Sequence, residues 1–173
     1  MSLTPLPPAR LHGLAPILDQ DTRLIVLGSF PGVASLRAQR YYAHPQNQFW
    51  KILGALWGLP LQDMNHQQRT DALSAHGLGV WDVYAACERE GSLDSAIENA
   101  QLNDLASLKT CCPRLQAIAH NGGESFRHAR HTRALGLPVY RLPSTSPANA
   151  SWSFERKLAA WRERPPPPPL SLH

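Results

Sequence analysis

The chain has 173 residues, 43% of them hydrophobic and 17% charged, with a net charge of +4, so one domain with a core large enough to need no staples is expected. No apolar run is long enough to span a bilayer, the proline-rich start Met1–Gly13 lacks a signal core, and Cys87, Cys111 and Cys112 form no C-x-x-C pair. Membrane, disulfide-framework and zinc or iron–sulfur classes are therefore excluded, a reduced cytoplasmic setting is expected, and the mild basic excess suits a polyanionic partner.

The first dozen residues read as a loose arm. Arg23–Leu27 is predicted as a first strand, buried on both faces because its apolar run does not alternate. It breaks into the loop Gly28-Ser29-Phe30-Pro31-Gly32. Phe49, Trp50, Ile52, Leu53, Leu56 and Trp57 recur at helical spacing, and Gly58 with Pro60 ends that helix. Asn65–Ala75 is a polar helix and Gly79–Val83 a second strand. Asn103 is expected to cap a helix running to about Cys112, stopped by Pro113. Leu115–Ala119 is a third strand, Gly123–Leu135 a helix, Val139–Leu142 a fourth strand and Ser153–Arg164 a closing helix. Residues 1–164 are expected to form one domain, and Pro165–Pro169 to open an extended, disordered tail over 165–173.

Strands alternating with helices imply right-handed crossovers, hence an α/β fold: a three-layer αβα sandwich around a central four-stranded parallel sheet. In such sheets the ligand crevice lies outside the carboxyl ends of the strands. Those ends carry Gly28–Gly32, Tyr84-Ala85-Ala86, His120-Asn121-Gly122 and Ser144-Thr145-Ser146-Pro147-Ala148-Asn149.

Between the first loop and the first long helix lies Tyr41-Tyr42-Ala43-His44-Pro45-Gln46-Asn47-Gln48-Phe49-Trp50. A flat ring can lie on the tyrosines while the Asn47 amide addresses its edge or orients a water, an arrangement suited to a nucleobase. The plainer reading makes Asn47 the N-cap of the helix and the tyrosines a roof over the core. Asp82 is expected to tie the end of the second strand and Asp94 to approach the rim, with neither paired to another carboxylate. Arg127, Arg130 and Arg133, with His128 and His131, form one basic helical stripe, either a phosphate track or a solvated face.

Together, Gly28-Ser29-Phe30-Pro31-Gly32, His44-Pro45-x-Asn47-x-Phe49-Trp50 and Ser144-Thr145-Ser146-Pro147-Ala148-Asn149 resemble the uracil-DNA glycosylase superfamily, and most its hypoxanthine-DNA glycosylase branch. The resemblance runs from about Leu24 to Trp161. It implies an enzyme that flips a deaminated base, hypoxanthine first, out of DNA and hydrolyses its N-glycosidic bond to leave an abasic site, as a monomer without metal or cofactor. It implies Asn47 as the catalytic amide, and Gly28, Ser29, Phe30, Tyr42 and Asn121 around the base. Ser144 and Ser146 would contact phosphate, with Pro147, Ala148 and Asn149 as a wedge in the base stack. Many relatives carry an Asp, Glu or Asn in the first loop, where this chain has Phe30, and a His or Asn where it has Ser144. Both departures point away from efficient uracil excision. The implied location is cytoplasmic, at the nucleoid when acting on DNA.

Three alternatives stay open at this point. One is a uracil- or mismatch-directed glycosylase. Another is a homologue that binds DNA or a nucleotide without catalysis. The third is a serine hydrolase using Ser29, His44 and Asp82, although G-x-S-x-G is missing.

Overall fold

The computed structural model describes residues 9–163. Four parallel strands form the central sheet: β2 (Leu24–Gly28), β3 (Leu78–Asp82), β6 (Ala117–Asn121) and β7 (Val139–Leu142), in the order β3-β2-β6-β7. Along β2, Leu24 and Val26 face one core while Ile25 and Leu27 face the other. That two-sided burial explains why the strand reads as an unbroken apolar run. One face is covered by α2 (Phe49–Trp57), α3 (His66–Ala75) and α7 (Phe154–Glu163). Toward the other lie α4 (Leu108–Cys111), α5 (Gly123–Phe126) and α6 (Ala129–Arg133). The expected three-layer sandwich is thus present. The chain leaves β2 toward β3 on one side and returns to β6 on the other, which puts the topological switch point between β2 and β6.

Several local expectations are corrected. The arm is partly ordered: β1 (Leu11–His12) pairs antiparallel with β4 (Tyr84–Glu88), which also pairs with β5 (Glu98–Leu102) in a second, three-stranded sheet. A short α1 (Val33–Ala38) follows the first loop. Asn103 does not cap a long helix, because its amide donates to the Asp82 carbonyl at 2.8 Å; a 3-10 turn, Leu105–Ser107, precedes α4 instead. The predicted helix 123–135 breaks at Arg127–His128 into α5 and α6. His120 and Asn121 belong to β6 itself, opposite Arg141 and Leu142. The tail 165–173, Arg164 and the first eight residues lie outside the described residues. Among the described residues no helix is long and apolar enough to cross a membrane.

The first turn of α2 shows how the fold delivers the motif segment. Phe49, Ile52 and Leu53 are buried, and Gly58 closes the helix in the left-handed region at φ 66°. At its start, the Asn47 side-chain oxygen accepts the Phe49 N–H at 3.0 Å, and the Gln48 N–H donates to the Thr145 carbonyl at 3.0 Å. The helix is therefore anchored to the last motif loop before its first turn is complete.

Candidate active site

A cleft of about 840 Å³ opens at the carboxyl ends of the central strands. That lies in the range of small-molecule sites, roughly 300–1,000 Å³. All the base-contacting candidates, Gly28, Ser29, Phe30, Tyr42 and Asn121, line it, as do Asn47, Ser144, Ser146, Ala148 and Asn149; Pro147 does not. Tyr84-Ala85-Ala86 are absent from this rim. Tyr84 is buried, and its hydroxyl binds Glu124 and His128, each at 2.8 Å.

Asn47 is half-buried at the helix mouth. The Phe49 N–H holds one lone pair of its oxygen, leaving the second lone pair and both amide hydrogens without a partner among the described residues. The expectation that Asn47 is the N-cap of α2 is corrected: Gln48 holds that position, and Asn47, one residue earlier, braces the helix start from the cleft wall. Tyr42 sits at φ 53°, a conformation that bulky residues seldom adopt. Its ring stacks on Phe49 with centroids 4.0 Å apart, and its hydroxyl accepts from the Asn121 amide at 3.2 Å. One face of the ring is thus occupied, and a base can stack only on the other. Burial, then the charge of Asp82, pushes the Tyr42 hydroxyl well above its ordinary range, so it stays protonated.

Asn121 is a holding residue by geometry. Its amide donates to Tyr42 Oη and to Thr145 Oγ1 at 3.0 Å, while its oxygen accepts the Thr145 N–H at 3.1 Å. Gly122, at φ 97°, lets Ser144 pack where a Cβ would lie 3.0 Å from the Ser144 Cβ. The last motif loop is tied within itself. Ser144 Oγ accepts the Ser146 N–H, Ser146 Oγ accepts the Ala148 N–H, and Asn149 donates to the Ser144 carbonyl. Both serine hydroxyl hydrogens remain for a ligand.

Sequence reasoning undervalued two carboxylates. Asp82, opposite Gly28 in the β2–β3 register, lines the cleft, and so does Asp94. Neither makes a hydrogen-bonded pair with another carboxylate among the described residues, but the charge of Asp94 acts on Asp82. Burial first, then the charge of Asp94, pushes the Asp82 carboxyl up to about 7. Asp94 is raised by burial and holds Ser29 Oγ at 2.5 Å. That bond also removes the serine hydrolase reading: Ser29 donates to Asp94, and His44 Nδ1 accepts the Gln46 N–H. Phe30 is buried beneath the Arg89 guanidinium, 5.3 Å from the ring centroid. The Arg127–Arg133 stripe is absent from the cleft lining, and Arg127 pairs with Glu124 at 2.8 Å.

His120 points away from the cleft, fully buried between Ser125 Oγ and Thr132 Oγ1, each 2.8 Å from a ring nitrogen. Burial lowers it to about 4 from an ordinary 6.5. Between those values the unfolded chain holds a proton that the folded chain has released, so stability rises with pH. Asp82 acts oppositely: from its ordinary 3.8 to about 7 the folded chain keeps a proton that the unfolded chain has lost, so stability falls with pH. The two slopes oppose each other between about pH 4 and 6.5. Asp82→Asn should unmask the histidine, so that thermal midpoints at pH 4.5, 5.5 and 6.5 climb more steeply than in the parent protein. Parallel curves would contradict the assignment.

Comparison with known proteins agrees with this architecture. Residues 15–164 match the model of the "Uracil DNA glycosylase superfamily". A hypoxanthine DNA glycosylase of Methanosarcina barkeri is 38% identical over 152 residues, covering 88% of this chain and 96% of that protein. One from Methanosarcina acetivorans is 38% identical over 146 residues, covering 84% and 92%. The solution NMR structure of a Methanosarcina acetivorans protein, provisionally named a uracil DNA glycosylase, superposes with a TM-score of 0.80 at 36% identity, over 90% of this chain and 98% of that one. With a β3-β2-β6-β7 parallel sheet, a cleft at its switch point and a family match over nearly the whole described length, this chain belongs to the uracil DNA glycosylase superfamily.

Proposed function

We propose that this protein is a monofunctional DNA glycosylase that removes hypoxanthine from DNA, with Asn47 as its catalytic amide. The observation that carries this reading is the polar inventory of the cleft. The first loop offers the buried ring of Phe30 in place of an acid, whereas the Asn47 amide retains two donors and an acceptor lone pair at the cleft wall. Two relatives that span nearly the same length are named hypoxanthine DNA glycosylases, which favours that base over uracil.

An amide is no general base at neutral pH, so the catalysis is positioning and electrostatics. The flipped nucleotide stacks on the free face of Tyr42. The Asn47 oxygen accepts from the attacking water, and its NH2 donates to the substrate. The C1′–N bond breaks through an oxocarbenium-like state, its electron pair leaves with the base, and water supplies the new oxygen at C1′. Ser144 and Ser146 bind flanking phosphate, and the 147–149 turn fills the vacated stack. The protein works as a single copy in the cytoplasm, at the nucleoid.

The test is a panel of duplexes, each with one hypoxanthine, uracil or xanthine, followed by alkali. Strand breaks are expected first at hypoxanthine, with slower or no cleavage at uracil. Tight lesion binding without any alkali-labile site would instead identify a non-catalytic homologue.

A further inference from the structure

The cleft floor is built from the ends of three neighbouring strands: Asp82 on β3, Gly28 on β2 and Asn121 on β6. Gly28 is required there, since a Cβ would lie 2.5 Å from Asp82 Oδ1 and 3.2 Å from Tyr42 Oη. The Asp82 carboxyl therefore lies across the bare Gly28 backbone, in the cleft lining. Asn121 has its amide hydrogens and its oxygen committed to Tyr42 and Thr145, and Ser29 is committed to Asp94. Asp82 differs: it is 5% exposed, and its Oδ2 is fully buried with no hydrogen-bond partner among the described residues. An oxygen so placed is far costlier ionised than protonated, and it leaves Oδ1, above Gly28, as the carboxyl atom that faces the cleft.

Resting on the glycosylase reading, we propose that Asp82 is a second catalytic residue, a neutral carboxylic acid whose O–H, presented to the cleft by Oδ1 above Gly28, donates to the carbonyl oxygen of the flipped base. That donor takes over the task for which this chain lacks an imidazole at Ser144. As the C1′–N bond breaks, its electron pair spreads from the ring nitrogen onto the carbonyl oxygen, where the Asp82 O–H meets it. The proton on Asp82 stays there; the attacking water supplies the one that ends on the base.

The surroundings keep the acid neutral. Arg89 is the cation that lowers it, but its guanidinium donates to the carbonyls of Gly91 and Pro31 and forms no ion pair with Asp82. Asp94, from the 92–95 loop, faces it with negative charge, and the hydroxyls of Tyr41 and Tyr42 are both raised, hence uncharged. An isolated carboxylate at this depth is costly, and protonation relieves it. Because burial and Asp94 bring the group to about 7, the donor is present in part of the population at neutral pH and vanishes in mild alkali.

The deciding experiment is single-turnover excision of hypoxanthine from duplex DNA by the full chain between pH 5.5 and 8.5. The parent rate is expected to fall about tenfold per pH unit above the Asp82 titration, as loss of one essential proton requires. Asp82→Asn carries a donor and an acceptor at every pH, so its rate should change less than about twofold between pH 6.5 and 8.5. Asp82→Ala should lose tenfold or more at pH 6. Asp94→Asn removes the charge that raises Asp82, so the alkaline fall should begin at lower pH. An Asp82→Asn profile with the parent's alkaline fall would overturn the inference, as would an Asp82→Ala rate equal to the parent's. Should Asp82→Ala not fold, the Asp82→Asn profile decides alone. A parent protein that excises nothing at any pH would sink the glycosylase reading and this inference with it. Excision by the parent with an unchanged Asp82→Asn profile sinks this inference only.

Discussion

Asn47→Ala is expected to lower hypoxanthine excision by about 10²–10³-fold, the usual consequence of deleting one preorganised hydrogen-bonding group at a reacting centre. The residue has two jobs, and the experiment must separate them. Its oxygen accepts the Phe49 N–H at the start of α2 at 3.0 Å, and loss of one such hydrogen bond costs about 1 kcal/mol. Against a total stability of about 5–15 kcal/mol, that leaves the fold intact. Asn47→Asp keeps an acceptor for Phe49 at a helix start that favours negative charge, yet removes both donors. Single-turnover rates and thermal midpoints should therefore split: the aspartate variant as stable as the parent but nearly as inactive as the alanine variant. An Asn47→Ala enzyme within threefold of the parent rate would take the amide out of the mechanism.

The central sheet was legible because β2 is apolar on both faces, and only a strand buried between two layers needs that pattern. The cleft was legible because the Gly28 loop, Asn121 and the 144–149 loop end three of its strands, and strand ends in such sheets converge by topology. The second sheet was not. Glu98–Leu102 is polar and almost wholly exposed, so nothing in its own pattern marks a strand; pairing with β4 makes it one. The role open to Asp82 was hidden for a related reason. Which way the last side chain of a strand points depends on register, and its room depends on the missing Cβ of Gly28, some fifty residues upstream. The Asp94 contribution depends on the 92–95 loop folding back onto Ser29, 65 residues earlier in the chain. The signal available was Gly28 itself, a glycine ending an otherwise apolar strand, which marks a close approach by something.

Asn121→Ala is expected to destabilise the fold by roughly 2–4 kcal/mol and to lower the thermal midpoint by about 4–16 °C. The size follows from what stays behind. Thr145 is 1% exposed, and without Asn121 both its N–H and its Oγ1 lose their partner inside the protein, while Tyr42 Oη loses a donor. The consequences reach the reacting centre by a short route, since the Thr145 carbonyl receives the Gln48 N–H, next to Asn47. Thr145→Val removes only the hydroxyl and keeps the N–H bond to Asn121, so it should cost about 1 kcal/mol. The two changes share a partner, so the double variant should be less destabilised than the sum of the singles. Chemical denaturation of all four proteins measures this coupling. A loss below 0.5 kcal/mol in Asn121→Ala, or strict additivity with Thr145→Val, would mean that Asn121 does not hold the last motif loop and is free to face the base instead.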